Sequence, residues 1–323
     1  MSKSHQVSLF ADERAPLTLR AVADAVKTAG IDGLPDARRR ADQARYQEIQ
    51  VRAALAKAQG MPFRWALNPY RGCTHACEYC YARKYQRHLE LGAGDDFSSV
   101  IFVKTNLPEA LRRDVSRRGW TREAIAIGTA TDPYQPIEGH YRITRRCLEV
   151  LNAARTPFHI ITKGSMIVRD AGILAAAPGG CRVYFSVPCV DEDVWRRLEP
   201  GTAHPLQRLR AARQLADAGI DARVLMMPLV PGISTAPALV EATLRAIAAA
   251  GVPLAGSNVA HLDDGVREHF FGFLEREYPQ LLDGYRRLYA RGYAARGYTE
   301  QVAALVKAAA KRLGLKRQYR DEE

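Results

Sequence analysis

The sequence predicts an α/β protein whose mostly parallel sheet forms either an incomplete barrel or an open doubly wound sheet. Short aliphatic and β-branched runs alternate with helical patterns from Phe63 onward, and the runs are apolar almost throughout, as strands buried on both faces must be. These units fill about 218 residues, 63 to 280, fewer than the roughly 250 of a closed eight-unit barrel. In both architectures ligands meet the C-terminal ends of the strands. The segments that follow each strand are therefore the expected functional face.

Residues 1–62 read as an arm or helical extension. They mix Arg38-Arg39-Arg40 and alanine-rich stretches with the breakers Gly30, Gly33, Pro35 and Gly60-Met61-Pro62, and their apolar residues are too sparse for a separate core. The run around Leu67 supplies a first strand, and Val100 to Lys104 an accessory one. Five strand-helix pairs follow: Ile125 to Gly128 with Arg142 to Ala154, Phe158 to Thr162 with Val168 to Ala177, Val183 to Val187 with Leu206 to Ala218, Ala222 to Met227 with Pro237 to Ala250, and Ser257 to Leu262 with Val266 to Tyr278. With the first strand they make six units. Residues 281–323 form a basic helical tail, with Leu281, Leu282, Tyr285, Leu288 and Tyr289, then Val302, Leu305, Val306 and Ala309, at amphipathic spacing. Arg286, Arg287 and Arg291 interleave there with Tyr285, Tyr289 and Tyr293. Such a face either stacks bases beside phosphates or packs its tyrosines inward and leaves its arginines in solvent, and the periodicity favours packing.

Composition narrows the classes. With 323 residues, 47% of them hydrophobic, the chain can bury a real core, which excludes disorder, collagen-like repetition and disulfide-stapled miniproteins for most of its length. The 47 Lys+Arg against 35 Asp+Glu leave a formal charge of +12, of which +3 lies in residues 1–62 and +5 in residues 281–323. That balance favours anionic partners such as nucleic acid, phosphorylated metabolites or acidic proteins, or marks an ordinary basic surface. No apolar run approaches the roughly 18 residues of a membrane span, and Met1 to Phe10 lacks a secretory core, so a cytoplasmic protein with no membrane partner is expected. In a reducing compartment a tight cysteine cluster marks a metal or a reaction more often than a disulfide.

Three of the six cysteines, Cys73, Cys77 and Cys80, form C-x3-C-x2-C directly after the first strand. Three thiolates on one curling loop can converge on a compact metal centre, and soft sulfur suits zinc or iron-sulfur clusters. A structural zinc usually takes four protein ligands, whereas a 4Fe-4S cluster on three cysteines keeps one iron open for chemistry. A zinc site completed by His75 is the alternative on spacing alone. The lack of a second CxxC or histidine pair weakens it.

The CxxxCxxC loop with Tyr79 before its last cysteine resembles the radical S-adenosylmethionine superfamily. The wider string Asn68-Pro69-Tyr70-Arg71-Gly72-Cys73 to Cys80-Tyr81, with Gly128-Thr129-Ala130-Thr131-Asp132-Pro133-Tyr134-Gln135-Pro136, Ile161-Thr162-Lys163 and Glu199-Pro200-Gly201-Thr202, is similar to its spore photoproduct lyase-like branch. The resemblance spans about residues 63 to 280. It implies a partial (β/α)6 TIM-like barrel with helical N- and C-terminal extensions, a 4Fe-4S cluster on Cys73, Cys77 and Cys80, S-adenosylmethionine as cosubstrate, and an electron donor such as flavodoxin or ferredoxin. It also implies reductive cleavage of the cosubstrate to a 5'-deoxyadenosyl radical that abstracts hydrogen from a substrate.

By the same resemblance, Tyr79 and Tyr81 lie beside the cosubstrate, and Lys163 and Ser186 hold its methionine carboxylate. The segment from Thr129 to Glu138 lacks an acidic residue in its Gly128-Thr129-Ala130 triplet, so Thr129 and Thr131 are the candidates for the methionine amino group, with Asp132 as a further option. The chain departs from the lyase where that enzyme carries a hydrogen-returning cysteine near the end of its second strand, because Gly-Thr-Ala-Thr stands here. Thymine-dimer repair by that route is not carried over. Of the spare cysteines, Cys147 sits in an apolar helical pattern, Cys181 precedes the fourth strand, and Cys189 follows it on the functional side. Asp132 and Cys189 are thus the catalytic candidates, each weighed against a purely structural role: a turn cap and a packed thiol. Met226 and Met227 read as core filler, and His261 as a strand-end histidine without an assigned role. The expected function is a radical S-adenosylmethionine enzyme on an unidentified substrate, nucleic acid among the candidates. The competing reading is a non-catalytic zinc or iron-sulfur protein that binds nucleic acid.

Overall fold

The computed structural model describes residues 43–58, 60–89, 92–263 and 265–315. Its strands are β1 (Arg45–Ile49), β2 (Leu55–Lys57), β3 (Trp65–Leu67), β4 (Tyr70–Arg71), β5 (Val100–Lys104), β6 (Ile125–Ile127), β7 (Phe158–Thr162), β8 (Cys181–Ser186), β9 (Asp221–Leu229) and β10 (Leu254–Val259). The strands β3, β6, β7, β8, β9 and β10 lie side by side in that order, and each neighbouring pair is parallel. An order that never doubles back contains no switch point, so the doubly wound alternative falls and the winding is that of a barrel wall. The wall stays open: β2 runs antiparallel along the free edge of β3, and β10 ends the sheet on the other side.

The connections are helical, as the alternation predicts. Ile143–Ala153 follows β6, Pro205–Asp217 follows β8, Pro237–Ala250 follows β9 and Val266–Glu277 follows β10, while β7 leads into a 3-10 segment, Ser165–Asp170, and a short helix, Ala171–Ala175. Phe158, Ile160, Val183, Phe185, Val224 and Met226 share one apolar cluster with Leu148, Leu151, Leu209, Leu215 and Leu244 from these helices. β6 is buried at every residue, but β7 and β9 alternate buried with half-buried positions. The helices cover one face of each strand, and His159, Ile161, Leu225 and Met227 look to the concave side. Several boundaries differ from the sequence reading, two of them by moving a residue noted there. The last strand begins at Leu254 rather than Ser257, and Cys181 opens β8 instead of preceding it.

Of the expected arm or helical extension over residues 1–62, Gln43 is helical and the described residues from Ala44 onward form strand and loop instead. β1 pairs in parallel with β5, the accessory strand, whose other edge carries β4 antiparallel, giving a three-stranded sheet in the order β1-β5-β4. β1 carries Arg45, Gln47 and Glu48 at exposed or half-exposed positions, so no apolar pattern announces it. Residues 1–42, with Arg38-Arg39-Arg40, and residues 316–323 lie outside the described residues.

The tail is helical at Leu282–Leu288 and Arg296–Arg312. Val302, Val306, Ala309 and Ala310 join the main core against the Pro237–Ala250 helix and β10. Tyr285 and Tyr289 are buried and donate their hydroxyls to the Pro231 and Ala260 carbonyls at 2.6 and 2.8 Å, so they are not free to stack bases. Tyr293 alone of the three stays out, 67% exposed. Among the described residues no helix is long and apolar enough to cross a membrane.

Candidate active site

The three cysteines sit on the loop that follows β3 and β4, at the C-terminal end of the first barrel strand, with Cys73 and Cys77 buried and Cys80 half-buried. The loop is held by its backbone. Cys73 N–H donates to Phe97 O at 2.9 Å, Glu78 N–H to Leu198 O at 3.0 Å, and Gly201 N–H to His75 O at 3.1 Å. Gly201 approaches so closely that a Cβ there would lie 2.2 Å from Thr74 O, and Gly72, at a φ of +81°, would carry one 2.6 Å from Val100 O. Glycine is required at both places. Arg83, buried, donates to Cys77 O at 3.0 Å, Ala76 O at 3.1 Å and Gly94 O at 2.8 Å. Its guanidinium fork satisfies three backbone carbonyls of the loop and its neighbour.

The segment after β6 clamps the same loop. Thr131 donates its hydroxyl to Gly72 O at 2.7 Å, and Gln135 accepts from Thr74 N–H at 3.0 Å while donating to Thr131 Oγ1 at 2.9 Å. Asp132 is committed at both oxygens. It accepts from Tyr134 N–H at 2.9 Å, Thr162 Oγ1 at 2.7 Å and Lys163 N–H at 2.7 Å, and lies 3.3 Å from His75 Nδ1. Burial works against its charge, but His75 and the donors hold its carboxyl down at about 2. Thr131 and Asp132 thus stand as anchors of the loop, and the structural reading of Asp132 is the one the geometry favours over a catalytic one. His75, turned to Asp132, is not placed beside the cysteines as a fourth ligand. Among the described residues no three His, Cys, Asp or Glu side chains gather closely enough for a single ion.

Behind the loop lies a buried ionic group. Glu199 meets Arg208 Nη2 at 2.6 Å, Lys163 Nζ at 3.9 Å and the Tyr79 hydroxyl. Arg208, fully buried, also donates to Ser186 O at 2.9 Å, Ala203 O at 2.7 Å and Thr202 Oγ1 at 2.5 Å. Burial opposes the Lys163 ammonium, but the Cys77 sulfur and Glu199 hold its pKa above the ordinary lysine value. Burial likewise opposes the Glu199 charge, and Arg208 and Lys163 overcome it. Lys163 also stands 5.7 Å over the Tyr79 ring. The sequence pointed to Tyr79, Lys163 and Ser186, and the structure brings them together. Arg83, Arg208 and the role of Glu199 were missed; the Glu199-Pro200-Gly201-Thr202 string was the available signal.

Tyr81 and Thr129 face a cavity of about 1210 Å³. Tyr81 donates its hydroxyl to Thr129 O, and Asn68 binds Thr129 Oγ1 at 3.1 Å and Ala130 N–H at 2.8 Å. The cavity occupies the seam of the open barrel, between β2 and β3 on one side and Ser257 to Val259 of β10 on the other, with Thr299 and Val302 of the C-terminal helix along it. Tyr293 stacks on His261 at its rim, ring centroids 3.8 Å apart. Cys189 does not line it. It is buried in an apolar cluster with Cys77, Tyr79, Val194 and Leu198, where burial raises its thiol pKa, and Cys147 is a fully buried core thiol.

The donor set fits an iron-sulfur cluster: three soft sulfurs on one backbone-locked loop, two of them buried. Burial pushes the Cys77 thiol up to about 12 and the Cys73 thiol upward as well, so metal binding at these two sulfurs releases protons.

Comparison with known proteins agrees with that geometry. The radical SAM superfamily model matches residues 67–239. An uncharacterized protein of Mycobacterium tuberculosis is 36% identical over 263 residues, 80% of this chain and 77% of its own length. A radical SAM Nalpha-GlyT isomerase of Pseudomonas phage M6 is 28% identical over 168 residues, 52% of this chain and 33% of that protein. Among solved structures, a spore photoproduct lyase variant with bound AdoMet and dinucleoside spore photoproduct shares the fold, with a TM-score of 0.64 at 17% identity over 87% of this chain and 83% of the other.

Proposed function

The chain belongs to the radical SAM superfamily, and from that premise we propose that it binds a 4Fe-4S cluster on Cys73, Cys77 and Cys80, cleaves S-adenosylmethionine reductively, and abstracts hydrogen from a substrate held in the seam cavity. The observation that carries the reading is the buried three-cysteine loop at the end of the first barrel strand, with a charged lysine at the end of the third. When bound, the cluster supplies the electron that breaks a carbon-sulfur bond of the cosubstrate. The chain's own residues bind and orient. Glu199 is already matched by Arg208 at 2.6 Å and reaches Lys163 only at 3.9 Å, which leaves the lysine charge available to a carboxylate entering this dry corner. Ser186, at the end of β8, is the second group for that carboxylate. Tyr79, fixed through its hydroxyl to Glu199, and Tyr81, fixed to Thr129 O, wall the space in which the cosubstrate would be aligned.

Nucleic acid is the substrate class we favour, on the +12 charge and on the aromatic and cationic wall formed by Tyr81, Tyr85, Tyr293 and Lys57. Anaerobic reconstitution followed by dithionite reduction should yield 5'-deoxyadenosine, and Cys77→Ala should abolish it. A colourless protein that takes up zinc and never forms this product would sink the reading. Deuterium transfer from candidate nucleic acids into the product identifies the substrate. Binding to nucleic acid should weaken steeply with added salt, and a salt-insensitive interaction would remove that substrate class.

A further inference from the structure

We propose that Arg71 and Lys104 form an oxyanion-binding subsite in the wall of the seam cavity, holding a phosphate or carboxylate group of the substrate; this rests on the reading that the substrate occupies that cavity. In the small sheet Arg71 of β4 pairs with Phe102 of β5, and Lys104 lies two residues further along β5. Alternation along a strand puts Phe102 and Lys104 on one face, and Arg71 shares it. Both cations line the cavity, each half-buried. β1 continues this face with Gln47 opposite Phe102 and Ile49 opposite Lys104. Its one acid, Glu48, falls on the other face and accepts from the Tyr141 hydroxyl at 2.8 Å.

Neither cation meets a carboxylate among the described residues. Lys104 Nζ donates to the neutral Asn68 carbonyl at 2.8 Å. The other charges of the wall are accounted for: Lys84 pairs with Asp263 at 2.6 Å, Lys57 is exposed with its ammonium 5.9 Å from the Trp65 ring, and Glu300 faces Arg296 at 2.7 Å. Burial and the neighbouring Arg71 push the Lys104 ammonium down to about 8. Two like charges withdrawn from water without a counter-charge weigh against folding. An oxyanion between them removes that cost and engages a guanidinium fork together with an ammonium, donors that suit phosphate and carboxylate alike.

The test is calorimetric titration of the reconstituted full chain with inorganic phosphate and, separately, acetate, at constant ionic strength. Saturable binding of one anion is expected, and the stronger of the two identifies the group. Lys104→Met should weaken it about tenfold or more, the worth of a charge-assisted hydrogen bond. Lys104→Arg should retain it, and Arg71→Gln should weaken it independently. Without anion, Lys104→Met should melt no lower than the parent, because an unmatched cation has gone; a lysine kept only to hold Asn68 would show a loss. Unchanged affinity in Lys104→Met, or no saturable binding of either anion, overturns the proposal. Cosubstrate cleavage is measured on the same preparation, so loss of cleavage with anion binding intact defeats the enzyme reading and leaves the subsite standing.

Discussion

The cysteine loop and the seam cavity meet at Gly72, and their polar groups are handled in opposite ways. Around the loop, Arg83, Thr131, Asp132 and Gln135 each have named protein partners, and Glu199 is neutralised from two sides. Around the cavity, Arg71 and Lys104 have no acidic partner among the described residues, and the buried atoms Gln86 Oε1 and His261 Nε2 have no hydrogen-bond partner there. Full satisfaction makes a rigid seat, because every polar group would lose a bond if the loop shifted. Unmet groups in a cavity wall are what a visiting molecule can satisfy. On the proposed reading, the loop would carry the cosubstrate chemistry and the seam would choose the substrate.

The sharpest break of this contrast is Cys77→Ala, expected to remove cluster absorbance and all cosubstrate cleavage while leaving the far-UV circular dichroism spectrum intact. Next comes Glu199→Gln, which leaves Arg208 buried without its 2.6 Å anion and removes the more distant charge 3.9 Å from Lys163. A loss of about 3–5 kcal/mol in urea unfolding is expected, and a loss below ~1 kcal/mol would show the seat is softer than described. Asp132→Asn should cost about 1–3 kcal/mol, since it sets an amide donor among groups that already donate.

Smaller again is a pH effect on the cavity side. The folded-state pKa of Lys104, about 8, lies below the ordinary 10.5, so between those values the unfolded chain binds more protons and stability should rise with pH. That rise should be missing from Lys104→Met, with Arg71 and Cys147 as the neighbouring groups whose own variants serve as controls. Least of all, Tyr293→Ala should leave stability within about 0.5 kcal/mol, as expected of an exposed side chain. A larger loss would place Tyr293 with the rigid region instead.

The barrel was legible because parallel strands and their helices leave a local trace: Phe158 to Thr162 and Pro237 to Ala250 are bounded in the structure as the alternation predicts. Whether the sheet was an incomplete barrel or doubly wound was not legible from alternation, since strand order is decided by crossovers that periodicity does not record. β1 was read as helical arm because an exposed accessory strand needs no apolar face. In the site, the cysteines were legible because their spacing is local. Nothing along the chain marks Arg83 or Arg208, and only the fold, which brings Arg208 against Glu199 and Ser186 O, withdraws them from water. Asp132 was seen as either cap or catalyst; its partners Thr162, Lys163 and His75 come from other segments and are invisible along the chain.

The unclosed wall has a topological consequence. A tube with a hole at its top takes only what is small enough to drop in, or the tip of something longer. A cavity along its flank, with Lys57 on one margin and Asn258 on the other, would instead offer a longer molecule a lateral edge to lie against.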